Sequence, residues 1–394
     1  MGKLSMELYL VSLIKKYKSA NKRQKGEILN ELCDVSGYHK KHAIRLLNQR
    51  KKFVKMQQDR RGRPKLYPAD LYLEPLKRIW FATDQLCGKR LKTALPLWLP
   101  HYSTAYDDLK SEVYEGLLTI SAATIDRLLI ESKVKSKRGL SGTKPGTILK
   151  KHIPIKTDQW NESRPGFLEA DTVAHCGMSL AGNFVWSLTM TDIYSEWTEI
   201  RAVWNKGAIG VVAQIEDIES CLPFEILGFD CDNGSEFLNW HLMRYFSNEQ
   251  GNQRVQFTRS RPYHSDDNAH VEQKNWTHVR QLFGYERFNN QAAVELMNDL
   301  YKNEISQMNN YFLPNTKLKA KQRVESKILK KHDKPETPYQ RLMKSKDVSD
   351  IKKAELTKIY NNLNPFELKK NIKIKLDRIF RLINDDSGEK TCYI

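Results

Sequence analysis

Between residues 161 and 300 the periodicity of the apolar residues changes every few positions, and this alternation restricts the fold more than any other feature of the chain. Phe167 to Val173 alternates with period two, as does Asn183 to Met190, and Glu196 to Trp204 is rich in Trp, Thr, Ile and Val. These segments predict three adjacent strands joined by tight turns. Residues 206–222 then switch to a helical period through Ala208, Val211, Val212, Ile215, Ile218 and Leu222. Phe224 to Phe229 reads as a short buried strand, 235–247 as helix, 254–258 as strand and 267–284 as helix. The order β-β-β-α-β-α-β-α predicts an α/β sheet of about five strands, the first three antiparallel.

Three acids fall at particular places on that pattern. Asp171 sits inside the first strand, in Phe-Leu-Glu-Ala-Asp-Thr-Val, where a carboxylate is costly to bury unless it is paired or binds metal. Asp232 directly follows the fourth strand, and the Asn233-Gly234 turn aims it from the carboxyl end of the sheet, where open α/β sheets place their sites. Glu272 lies near the start of the last helix. If strands one and four are neighbours, Asp171 and Asp232 lie side by side, and the helix can bring Glu272 across to them. Three carboxylates suit two Mg2+ or Mn2+ ions about 3.5–4 Å apart at a phosphate. The acids alone do not decide the matter, because the 20 Asp and Glu of residues 161–300 allow many such triples.

Charge is unevenly distributed. Of the formal +18, residues 1–66 contribute +13, 67–160 +5, 161–300 −10 and 301–394 +10. Basic flanks suit a polyanion, since each cation placed at a phosphate releases condensed counterions; a solvated basic surface is the plain alternative. An acidic centre would repel nucleic acid unless cations sit there. No run approaches the roughly 18 apolar residues of a membrane helix, and no signal-peptide pattern is read at the start. Cysteines 33, 87, 176, 221, 231 and 392 include no CxxC pair, so neither a disulfide framework nor a zinc site is expected and a reducing cytoplasm fits.

The first region, 1–66, predicts helices. Glu7, Leu8, Leu10, Val11, Leu13 and Ile14 recur at helical spacing, a second helix runs from about Gln24 to Cys33, and Ser36-Gly37 turns into a third from Tyr38 to about Asn48. This is a helix-turn-helix pattern, whose second helix presents its first residues to base edges; a plain helical hairpin is the alternative. The helix carries His39, Lys40, Lys41 and Arg45. Arg61 and Arg63, in Arg-Arg-Gly-Arg-Pro-Lys, suit a narrow minor groove or a flexible basic linker equally. Residues 67–135 predict a second helical region. Ser121 reads as an N-cap before 122–129, which places Thr124 and Arg127 on another short helix after a turn, a second helix-turn-helix pattern in which both are candidate DNA contacts. Residues 136–160 read as a basic linker.

Asp-Asn-Gly-Ser-Glu-Phe (232–237), Arg261-Pro262-Tyr263-His264-Ser265 and Asn268-Ala269-His270-Val271-Glu272-Gln273-Lys274-Asn275, with Glu169-Ala170-Asp171-Thr172 before them, resemble the integrase core of DDE transposases and retroviral integrases. The likeness is strongest over about 160–300, and the layout resembles a bacterial insertion-sequence transposase. The resemblance implies an RNase H-like core at 161–305, flanked by all-α helix-turn-helix units and a basic, mainly helical region at 306–394. It implies DNA strand cleavage and strand transfer, catalytic and metal-binding roles for Asp171, Asp232 and Glu272, and two Mg2+ or Mn2+ ions. Expected partners are double-stranded DNA (terminal repeats and target) and further copies of the chain; the expected place is a bacterial nucleoid, with no membrane. The rivals are an RNase H-like nuclease that does not join, and an inactive DNA-binding regulator.

There are departures. The stretch between Asp232 and Glu272 is longer than in retroviral integrases, Ala269 replaces a common Gly, and no His-His-Cys-Cys module precedes the core. Among neighbours of the acids, Lys274 and Asn275 are expected to face DNA near the scissile phosphate. Asn233, Gly234 and Glu236 are expected to hold the turn and cap the next helix, and His264 and His270 to make structural hydrogen bonds. Tyr263 would stack on a base or pack, and His175 and Cys176 are assigned no metal role.

Overall fold

Leu66 and Tyr67 mark the division between two units, Met1–Leu66 and Tyr67–Ile394. The structure, a computed structural model, describes residues 3–48, 66–133, 162–260, 269–324 and 327–387. In the first unit, α1 (Lys3–Ser19), α2 (Lys22–Ser36) and α3 (Lys40–Asn48) follow one another. Asn21 starts α2 through a reciprocal capping box with Gln24. Gly37 ends it at φ 67°, where its N–H reaches the Cys33 carbonyl, a left-handed cap that suits glycine. Leu13, Leu29, Leu32, Ala43 and Leu47 close a small core of their own.

The second unit begins with α4 (Ala69–Ala82), α5 (Gly88–Trp98), α6 (Ser111–Thr119), α7 (Ala122–Leu128) and α8 (Ile130–Lys133). Ser121 caps α7 by accepting the Thr124 N–H, as its place in the sequence implies. The sheet follows: β1 (Phe167–Ala174), β2 (Val185–Asp192), β3 (Thr198–Trp204), then α9 (Ala208–Cys221), β4 (Gly228–Cys231), α10 (Trp240–Tyr245) and β5 (Gln256–Arg259). Its order is β3-β2-β1-β4-β5, antiparallel from β1 to β3 and parallel among β1, β4 and β5. The result is a mixed five-stranded sheet flanked by helices.

After the sheet come α11 (Ala269–Lys274), a π-helical turn at Asn275–Arg280, α12 (Gln281–Phe283) and α13 (Ala292–Leu300). The C-terminal segment holds a hairpin, β6 (Leu318–Val324) with β7 (Lys327–His332), before α14 (Pro338–Lys344), α15 (Asp350–Asn361) and α16 (Pro365–Ser387). The hairpin qualifies the expectation of a mainly helical tail. Lys and Arg fill six of its 13 positions, so it reads first as a basic tail, and such a ribbon needs no apolar face of its own when it is attached to a larger body.

The helices before the sheet and those after it share the core of the sheet. Trp98 is fully buried; its indole N–H donates to the Phe312 carbonyl at 3.1 Å and its ring meets Phe366 edge-on at 5.0 Å. Arg90 donates to the Pro314 carbonyl at 2.6 Å, and Lys369 pairs with Asp84. Removing a buried Trp costs about 3–5 kcal/mol through lost transfer free energy and the cavity left behind. Trp98→Ala is therefore expected to lower the unfolding free energy of the second unit by that order and its denaturant midpoint with it, while Leu32→Ala leaves that midpoint unchanged; equilibrium unfolding read by tryptophan fluorescence checks both.

Candidate active site

The β1–β4 pairing builds the site. Phe167 faces Gly228, Leu168 Phe229, Glu169 Asp230 and Ala170 Cys231. β4 ends at Cys231, and one further step in the same register, just past the strand end, sets Asp171 beside Asp232; parallel neighbours run about 4.8 Å apart. Both side chains are half-buried. Asp171 accepts the Thr172 N–H at 2.7 Å, and Asp232 accepts the Gly234 N–H at 2.9 Å, so the Asn-Gly turn fixes the second acid. Glu272 stands exposed on α11. Burial, then the neighbouring charges of Asp232 and Glu272, push the Asp171 carboxyl up to about 8. Burial and Glu236 also raise Asp232. The three acids thus share one electrostatic field.

They do not share one set of contacts. Among the described residues, no three His, Cys, Asp or Glu side chains are gathered closely enough to hold an ion as they stand. Asn275 takes the outer oxygen of Asp171, its amide donating to Oδ2 at 2.7 Å, while its own Oδ1 is buried without a hydrogen-bond partner. Asn275 also opens the π-helical turn, a feature common at functional sites. The donor types nevertheless suit a hard divalent cation: all three are carboxylates, and the repulsion that Asp171 feels from Asp232 and Glu272 is what a cation relieves.

Two residues outside the expected set hold this arrangement. Glu169, two positions before Asp171 and on the same face, is buried and accepts the N–H groups of His270 and Val271 at 3.0 and 3.1 Å. Burial drives its carboxyl up to about 7, against the pull of His270. Glu196, in the β2–β3 turn, is buried at φ 63° and meets His270 Nδ1 at 2.6 Å and Lys274 Nζ at 2.9 Å. Burial opposes its ionisation, but Lys274 and His270 hold it well below the ordinary carboxylate range. The period-two rule could have found Glu169; nothing in Ser-Glu-Trp announces the left-handed Glu196.

Other expectations fare unevenly. Lys274, expected to face DNA, is 4% exposed here and pairs with Glu196. Asn275 is buried against Asp171, so it orients an acid and presents no surface to DNA. His270 makes the structural contact expected of it. Glu236 is no cap; it accepts from the Thr172 hydroxyl at 3.0 Å and pairs with Lys206, while Asn239 caps α10 by accepting the Leu242 N–H. Asn233 does hold its turn, donating to the Ser260 carbonyl and accepting from Arg259. His175 is buried on Ser187 at 2.7 Å, and Cys176 is buried. Lys40, Lys41 and Arg45 are exposed on α3. Arg127 donates to the Thr124 hydroxyl at 3.0 Å on the surface of α7. Arg61, Arg63, Arg261, Tyr263, His264, Ser265 and Asn268 lie outside the described residues.

A relative shares this sequence along nearly its whole length. It is the uncharacterized protein y4rM of Sinorhizobium fredii, 36% identical over 334 residues, which span 84% of this chain and 93% of y4rM. The chain belongs to the y4rM family. No protein-family model matches the sequence. Among solved structures, the catalytic core of BIV integrase is similar over 44% of the chain and 91% of its own length, at 15% identity and a TM-score of 0.28. The HTLV-2 integrase core, solved as a dimer in complex with magnesium, covers 39% and 92% at 13% identity and a TM-score of 0.27. Likeness at that level carries no weight by itself; the strand order and register carry the architecture of this y4rM relative. No helix among the described residues is long and apolar enough to cross a membrane.

The raised carboxyl gives a signed expectation. An acid whose pKa climbs from 3.8 to about 8 on folding opposes the fold once it ionises, so stability falls as pH rises through that interval. Without metal, the thermal midpoint is expected to decline from about pH 5 to about pH 8. The decline should be smaller in Asp171→Asn and should be reversed in wild type by millimolar Mn2+. A decline of equal size in the variant would contradict the shared field.

Proposed function

We propose that the chain is a DDE-type polynucleotidyl transferase, a transposase that cleaves DNA at the ends of a mobile element and joins them to target DNA. The observation that carries this is the parallel register of β1 and β4, which sets Asp171 beside Asp232 with Glu272 in their field. Asp171, Asp232 and Glu272 would hold two Mg2+ or Mn2+ ions. Bound there, divalent ions supply Lewis acidity and a nucleophile at neutral pH.

The chain's own residues prepare and orient. Asp171 and Asp232 are fixed by backbone N–H groups, and the Asn275 amide holds the outer oxygen of Asp171 until a cation competes for it. Lys206, which lowers the pKa of both acids, offsets part of their repulsion. Hydrolysis at the element end leaves a 3′-OH, and its in-line attack on target DNA at the same carboxylates needs no covalent protein–DNA intermediate. In the first unit, α3 turns its buried Ala43 and Leu47 inward and Lys40, Lys41 and Arg45 outward, as a groove-reading helix would. Two DNA ends must meet target DNA, so the working form is a multimer on DNA.

The decisive test is strand transfer with Mg2+ or Mn2+ on DNA that carries the repeats flanking the gene. Asp232→Asn is expected to abolish cleavage and joining by more than about 10³-fold, roughly 4 kcal/mol of transition-state stabilisation, with repeat binding intact. Cleavage without joining by wild type would favour a nuclease, and repeat binding without chemistry a regulator. Reversing Lys40, Lys41 and Arg45 to Glu should weaken DNA binding and reduce the salt slope by about 0.9 for each phosphate that is no longer neutralised; an unchanged slope would remove α3 from the interface.

A further inference from the structure

We infer that Glu169 and Glu196 are positioning residues that clamp the first turn of α11 from two sides and so set where Glu272 stands relative to Asp171. This rests on the metal-binding reading of the three acids.

The first N–H groups of a helix have no partner within it, and the residue just before the helix normally supplies one. In α11 the acceptor comes from 101 residues upstream: Glu169 takes the N–H of His270, and also that of Val271. The start of this helix is therefore registered to β1. Glu169 and Asp171 stand two apart on one strand and share a face. One rigid strand carries both the first acid and the anchor for the helix of the third.

The second clamp acts through side chains. Glu196 meets His270 and Lys274, which are four residues apart and so lie on one stripe of the helix. The residues held are 270, 271 and 274, and they bracket Glu272, whose side chain is directed outward. The turn that carries Glu196 is itself fixed: Lys317 donates to the Tyr194 carbonyl at 2.8 Å and Arg341 to the Ser195 carbonyl at 3.3 Å. Stability alone gives little reason for this design, because well-packed apolar residues usually serve a buried ion pair's place as well or better. Orientation does, since groups behind metal ligands typically govern metal affinity by 10–100-fold.

The test is Mn2+ binding to the full chain by calorimetric titration, alongside circular dichroism and thermal melting. Glu169→Ala is expected to weaken Mn2+ binding about 10–100-fold, and Glu169→Gln, which keeps a carbonyl oxygen for the two N–H groups, to recover most of it. Should Glu169→Ala fold poorly, Lys274→Met removes the opposite tether and is expected to weaken Mn2+ binding in a folded protein. A folded Glu169→Ala or Lys274→Met that binds Mn2+ like wild type, while Asp171→Asn does not, overturns the clamp and leaves the metal reading standing. Equal Mn2+ binding by wild type and Asp171→Asn overturns the metal reading and the clamp with it.

Discussion

The parallel pairing of β1 with β4 is the constraint on which the rest of the structure depends. Side chains two apart on a strand share a face, so the pairing stacks two levels of acids: Glu169 opposite Asp230, and above them Asp171 beside Asp232. Like charges this close in a half-buried place raise one another's pKa. The lower level is quenched by protein donors, the α11 N–H groups at Glu169 and the Thr258 hydroxyl at Asp230. The upper level has one N–H each, the Asn275 amide and the field of Lys206, and it is half-buried where Glu169 and Asp230 are buried. The upper level is therefore the one open to solvent, which is what the proposed function needs of it.

Much of the second unit keeps α11 in place. The β2–β3 turn presents Glu196 to the helix, and Lys317 and Arg341 from the C-terminal segment grip that turn. Arg90, on the helices before the sheet, is buried and reaches the Pro314 carbonyl. Segments far apart in sequence thus meet behind the site, and the apolar contacts of Trp98 with Phe312 and Phe366 fix them to one another. A reacting phosphate demands carboxylates placed to within a fraction of an ångström, and a six-residue helix has too few contacts of its own to supply that.

The sheet is legible in the sequence because its strands are short, alternating and separated by strong turns, and because Asn-Gly pins Asp232 to the strand end. The placement of Lys274 is legible in principle. Two helical residues subtend about 200°, so Lys274 has to point away from Glu272, whereas Asn275, three residues on, lies within about 60° of it. The nearness of Lys274 to Glu272 in sequence is thus not nearness on the same side of the helix. Glu236 resembles a cap because an acid commonly opens a helix, but the chain runs irregularly to Asn239 before α10 begins. The β6–β7 hairpin escapes notice because its density of Lys and Arg reads as a basic tail before it reads as the polar side of a strand. Glu196 is hidden for a different reason, since its left-handed backbone and its partners are set by tertiary packing.

The claim that Asp171 and Asp232 share a cation is tested most directly by anomalous scattering from crystals grown with Mn2+. A peak is expected between the two carboxylates, with Glu272 turned toward it and the Asn275 amide displaced from Asp171. A fully ordered site with no peak there, or Mn2+ bound only at other carboxylates while Asn275 still holds Asp171, would contradict it.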